Sequence, residues 1–232
     1  MQRMADEESL GRLHYELIKG LIEHGTCPSI SVLAETLGTG ETELEGLLTE
    51  LASVHGLVLH PHVREPWIVH PFSLTPTINW ITGETGSWWA PCIWCALGVA
   101  VLVGGTTHIH TRYGAEAEPL IIEVINGQPV RNDIVVHFAI PPARAWDNVH
   151  QHCSLVLPFH SHQHIRDWCT RYGVAMGEAV PLQTVSDLAR AWYGSHASPY
   201  WRKWTIEQAQ EIFSRVGLTS EFWRLDLPQG HF

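Results

Sequence analysis

Pro61, Pro66, Pro71 and Pro76 recur through one short stretch of the chain. Proline fixes φ and has no backbone N–H, so no helix runs through such a stretch. It must be a linker or an extended wrap, and it divides the sequence into residues 1–75 and 76–232. The first part is helical in pattern. Leu10, Leu13, Leu17, Ile18 and Leu21 fall at helical spacing, and Gly25 is a suitable stop. Val32, Leu33 and Leu37 mark one face of a second short helix. After Gly38–Gly40, Glu41 or Thr42 opens a third, carrying Leu44, Leu47, Leu48 and Leu51. Leu57–Leu59 reads as a short strand. Three helices followed by a hairpin form a winged-helix-like pattern. The third helix, however, bears Glu41, Glu43, Glu45 and Glu50, whereas a groove-reading helix needs Lys, Arg, Asn or Gln. A helical platform for the next domain is expected.

Residues 76–232 are mixed. The segments 107–112, 120–124, 134–139 and 154–159 are β-rich, and 165–172, 184–193 and 205–216 read as amphipathic helices. The order fits an α+β fold rather than regular βαβ alternation. Of the 232 residues 45% are hydrophobic and 16% charged, a core-forming composition. The formal net charge of −10 disfavours nucleic acid and anionic membrane surfaces as partners. The longest apolar run, Ala96 to Val103, is far shorter than the ~20 residues a bilayer span needs. The first residues, MQRMADEESLGRLHYE, contain no apolar signal core. Five cysteines is an odd number, which favours free or metal-binding thiols in a reducing compartment. A cytoplasmic location is expected.

The most informative local feature is Pro91-Cys92-Ile93-Trp94-Cys95, which leads into that apolar run. Proline suits the first turn of a helix. If a helix starts there, Cys92 and Cys95 share one face of its first turn, where unpaired N–H groups and the helix dipole favour thiolate. Such a pair can grip a soft metal, act as a redox couple, or simply pack as two small apolar residues. Cys153 lies in His150-Gln151-His152-Cys153-Ser154, just before the apolar Leu155-Val156-Leu157. Cys27 and Cys169 have no supporting spacing and read as structural. His108-Ile109-His110 and His160-Ser161-His162-Gln163-His164 are HxH patterns. On a strand, positions i and i+2 face the same way, so His108 with His110, and His160 with His162, are alternative metal ligands. Of the 11 Trp, Trp88, Trp89 and Trp94 flank the thiols and are candidates to line an apolar pocket. Trp192, Trp201, Trp204 and Trp223 are expected to pack the C-terminal helices.

His70-Pro71-Phe72-Ser73-Leu74-Thr75-Pro76-Thr77 is similar to a segment of the alkylmercury lyase family. Trp89–Gly98 resembles that family's Cys-x-x-Asp helix start. Trp146–Val149, Cys153-Ser154 and Phe159-His160-Ser161 through Trp168 resemble its second-cysteine segment, and Trp192-Tyr193 and Phe222–Leu225 its tail. The resemblance implies an alkylmercury-lyase-like core in which Cys92 and Cys153 are the two catalytic cysteines. The family's catalytic aspartate falls on Cys95. It also implies a reaction in which thiolates capture the mercury of R–Hg⁺, an acid protonates the leaving carbon, and no cofactor is required. The substrate would be a small organometallic or organic molecule, the soft ion Hg(II) the metal product, and cellular thiols the partners. Thiolate is the softest protein ligand, which suits mercury.

With Cys95 in place of the aspartate, the thiol either donates its own proton or ionises into a three-thiolate trap. His150, His152 and His160 are near enough in sequence to supply an acid or base. Three readings follow. One is a lyase cleaving a carbon–mercury or related carbon–heteroatom bond. Another is a non-catalytic soft-metal-binding protein, sensor or carrier. The third is the same fold recruited to other small-molecule chemistry, such as specialised metabolism.

Overall fold

The computed structural model describes residues 6–226. The N-terminal unit holds α1 (Glu7–His24), α2 (Ile30–Leu37) and α3 (Glu41–Ser53). Asp6 caps α1 by accepting the Ser9 N–H, and Gly25 ends it in a left-handed conformation (φ 69°), as an achiral residue can. Ser29 caps α2, while α3 begins after Gly40. The three helices bury Leu13, Leu17, Leu21, Leu33, Leu44, Leu48 and Leu51 against one another. The hairpin expected after them is β1 (Val58–Leu59) with β2 (Pro66–Val69).

That hairpin does not stay within its own unit. The strands β3 (Phe72–Ser73), β4 (Asn79–Gly83), β5 (Ser87–Ala90), β6 (Thr106–Arg112), β7 (Pro119–Ile125) and β8 (Gln128–Pro129) complete an eight-stranded sheet in the order β1-β2-β3-β5-β4-β6-β7-β8. Each adjoining pair is antiparallel. Sheet and hydrophobic core therefore run through the expected boundary at residues 75/76. Trp88 ties the parts together further, its buried indole N–H donating to the Leu21 carbonyl at 2.6 Å.

Between β5 and β6 lies α4 (Ile93–Val103), apolar on every side. A helix with no polar face must be covered all round, and α4 packs between β4–β5 and α7 (Leu182–Tyr193). A second, three-stranded antiparallel sheet places β9 (Val135–Phe138) between β10 (Val156–Phe159) and β11 (Glu178–Pro181). The short α5 (Val149–Ser154) leads into β10, α6 (His162–Tyr172) follows it, and α8 (Ile206–Arg215) closes over α7. The fold is thus the expected α+β arrangement. Among the described residues, no helix is long and apolar enough to cross a membrane.

Candidate active site

Cys92 caps α4. Its backbone is extended (φ −150°, ψ 176°), its carbonyl accepts the Ala96 N–H at 2.8 Å, and its Sγ accepts the Cys95 N–H at 3.3 Å. A thiol here faces the unpaired N–H groups at the positive end of a helix. Cys95 is one turn further on. The third sulfur comes from 58 residues later in sequence. Asn148 caps α5 by accepting the Gln151 N–H at 3.1 Å, and this single helical turn delivers Cys153 to the start of α4. The sequence pattern reads residues 154–159 as β-rich, which would put Cys153 directly before a strand. The strand starts only at Val156, because the Asn148 cap winds 149–154 into a helix first.

The three sulfurs converge. Cys92 is within side-chain hydrogen-bonding reach of both Cys95 and Cys153, and all three residues are almost wholly buried. Burial alone would push the Cys92 thiol up. The hydrogen bonds it accepts from the Cys153 and Cys95 side chains and from the Cys95 backbone outweigh that, holding it well below the ordinary thiol range. Cys95 is pushed well above that range by burial and by the neighbouring Cys92 charge. Cys153 is raised as well, first by its hydrogen bond to Cys92. Of the three thiols, Cys92 is therefore the one that ionises most readily. Tyr193, on α7, sets its hydroxyl 3.4 Å from the Cys95 sulfur, and burial keeps that phenol well above its usual range.

Histidines close the other side. The ligand atoms of His70, Cys95 and Cys153 all lie within 4.8 Å of one another. Burial takes His70 down to about 4 despite the neighbouring Cys92, and lowers His152 in the same way. The His70 Nδ1 and both ring nitrogens of His152 are buried with no hydrogen-bond partner. His196 Nδ1 donates to the His70 carbonyl, 3.3 Å away, and burial takes His196 down to about 3.

The cluster opens on a cavity of about 100 Å³ walled by Trp94, Trp146, Trp192, Trp201, Trp204 and Phe213. Trp94 thus lines the pocket as expected. Trp88 and Trp89 do not: they border a different groove, against α1 and α2. Trp192 stacks on Phe213 of α8 and Trp204 donates to the Trp192 carbonyl, as residues packing the C-terminal helices should, and with Trp201 they also wall the cavity. Trp223 is core, buried against Phe138 and Phe213.

The HxH pairs lie elsewhere. His108 and His110 share a face of β6, with His108 opposite Glu123 and His110 Nε2 3.3 Å from Thr82 Oγ1. His160 stacks on Tyr113 with ring centroids 3.6 Å apart and meets Glu118 at 3.0 Å. His162 is not on its strand at all: Ser161 caps α6, so His162 begins a helix. Among the described residues, the one metal-capable group of three is His70, Cys95 and Cys153. Of the histidines considered as acid or base, His152 lines the cavity, while His150 packs beside Trp67. Cys169 packs near His137 and the Ala175 carbonyl. Cys27 is pushed up to about 12 by burial and by Glu65. His70 and Tyr193 have no chemical signature in the sequence. Only the resemblance ties the segments that hold them to the site.

None of the curated proteins matches the sequence. Among solved structures, the chain is similar to the mercury-bound form of MerB2, with a TM-score of 0.63 and 19% identity, over 84% of this chain and 92% of that one. At that identity the likeness establishes the fold. A family model described as alkylmercury lyase matches residues 72–194, more than half of the sequence and a span that holds both Cys92 and Cys153. The chain belongs to the alkylmercury lyase family.

Proposed function

We propose that this chain cleaves carbon–mercury bonds, with Cys92 as the capturing thiolate and the Cys95 thiol in the role the family gives to a carboxylic acid. The observation that supports this reading is the buried triad of cysteines at the end of an aromatic cavity, with Cys92 the most readily ionised of the three. The Cys92 sulfur attacks mercury in R–Hg–X, expelling X⁻ and leaving a Cys92 S–Hg–R adduct. A second thiol then adds to the same mercury. Its proton passes to the carbon as the C–Hg bond breaks, the bonding electron pair staying with carbon, so that R–Hg–S plus H–S becomes R–H plus S–Hg–S. Adding sulfur ligands to mercury weakens its bond to carbon, and binding mercury acidifies the thiol that must give up the proton. Cys95 is that second thiol and the proton donor, and the Cys153 thiol keeps its own proton beside the bound mercury. Tyr193, in contact with the Cys95 sulfur, steers its proton. The tryptophan walls hold R and exclude water. No cofactor takes part. Two external thiols, as found in the cytoplasm, exchange the mercury out and restore the three sulfurs.

A second reading is favoured by one residue. Because the family's carboxylate is a third sulfur here, the triad can also retain the metal without turnover, as a carrier or sensor. The acidic helix α3 argues against a DNA-reading sensor. Incubating the reduced protein with methylmercury and excess thiol separates the two. Methane supports the lyase, while stoichiometric mercury retained without methane supports the trap.

A further inference from the structure

The lyase reading uses three sulfurs and leaves the neighbouring imidazole without a task. His70 follows β2 directly, and one of its ring nitrogens, Cys95 Sγ and Cys153 Sγ all fall within 4.8 Å of one another. Cys92 Sγ lies beside this group, in hydrogen-bonding reach of both other sulfurs. His70 Nδ1 is buried with no partner, as are both nitrogens of His152 (4% exposed) on the same cavity wall. Buried polar atoms in folded proteins are almost always partnered, and an orphan calls for a ligand or an ion. Hg(II) does not explain the imidazole, since two thiolates satisfy that very soft ion. A nitrogen and two sulfurs around one point is the donor set of a borderline, tetrahedral ion.

We propose that His70, Cys95 and Cys153 form a zinc site, with a water or an external thiol in the fourth position. Tetrahedral zinc needs Zn–S near ~2.3 Å and Zn–N near ~2.0 Å, which sets ligand atoms somewhat under 4 Å apart. From the 4.8 Å limit the ligand atoms must close by roughly 1 Å to achieve this. The site borrows the sulfurs of the proposed reaction but stands independently of it. If the lyase reading also holds, zinc guards the thiols and must be displaced before Cys95 can give up its proton.

Direct binding tests the proposal, with no methane readout. The full chain, reduced and stripped with a chelator, is titrated with Zn(II) against a chromophoric competitor, and then with Co(II). One zinc per chain with Kd at or below ~10 nM is expected, together with the strong visible bands of four-coordinate cobalt and a thiolate-to-cobalt charge-transfer band. Cys27→Ser should bind unchanged. His70→Ala should lose affinity by roughly tenfold or more and shift the cobalt bands, while still taking up one Hg(II). X-ray absorption on zinc-loaded wild type adds a readout free of any folding defect in the variant: a mixed nitrogen and sulfur shell supports the site. Absence of stoichiometric zinc, unaltered affinity in a folded His70→Ala, or an all-sulfur shell would each overturn it.

Discussion

Replacing Cys95 probes the position where the resemblance puts the family's catalytic aspartate. The side chain is 1% exposed, at the first turn of α4, with Cys92 on one side and the Tyr193 hydroxyl on the other at 3.4 Å. Cys95→Ala removes a proton donor and a sulfur but leaves Cys92 and Cys153, which are enough to hold Hg(II) in two-coordinate form. A positioned general acid contributes about 10²–10⁴-fold to a rate, equivalent to ~3–5 kcal/mol of barrier. Single-turnover methane release should therefore fall by that factor in Cys95→Ala, with mercury uptake intact. Cys95→Ser keeps the volume but offers a far weaker acid, and should be as slow. Cys95→Asp restores the family's carboxyl next to the Tyr193 hydroxyl and should release methane faster than wild type. Headspace gas chromatography on anaerobic, pre-reduced protein reads all four. The reasoning fails if Cys95→Ala turns over within a few-fold of wild type, since the proton would then come from another group.

Other expectations follow from the same geometry. His70 and His196, held neutral by burial down to about 4 and about 3 against an ordinary 6.5, bind protons only when the chain unfolds. Below pH 6.5 the unfolded state takes up protons that the folded state refuses, so stability is full above 6.5 and drains away as pH falls toward 3, by a few kcal/mol per residue (~1.4 per unit); a melting temperature unchanged from pH 7 to pH 4 would contradict it. Cys92, with its thiol held low, should be alkylated by iodoacetamide well below pH 8 and ahead of Cys95 and Cys153, as peptide mapping would show; equal labelling of all three would speak against that order of ionisation. Gly98→Ala would set a Cβ 2.4 Å from Tyr193 Cδ2, forcing α7 away from α4 at a cost of about 1–3 kcal/mol and slowing methane release through Tyr193; unchanged stability and rate would refute this packing. Trp88→Phe deletes the bond to the Leu21 carbonyl and should destabilise the protein by about 1–2 kcal/mol in urea denaturation, with methane release little changed.

Much of this was legible in the residues. Leu13, Leu17 and Leu21 mark α1 because an amphipathic helix must turn one stripe inward, and Pro91 followed by an unbroken apolar run marks α4 because no polar residue interrupts it. The hairpin of β4 and β5 escaped notice. Its strands are short and Trp-rich, and Trp80 and Trp89 pair across it at 4.4 Å, a relation that exists only after folding. The turn that makes α5 depends on one Asn148 cap, too local a signal beside the strand-like Leu155–Phe159. His160–His164 looks like a metal pair only while it is taken for a strand, and the Ser161 cap decides otherwise. Cys92 and Cys95 declare themselves by spacing. His70 and Tyr193 reach the cysteines across 25 and 98 residues of chain respectively, and no local pattern encodes a contact of that kind.

The account stands on capture by sulfur followed by protonation of carbon, and native mass spectrometry after a single turnover addresses both. Reduced protein is mixed with one equivalent of methylmercury without added thiol, and the headspace gas and the intact mass are read from the same sample. One methane per chain with a mass gain of bare mercury is expected. A mass gain corresponding to intact methylmercury, with no methane, would contradict the account.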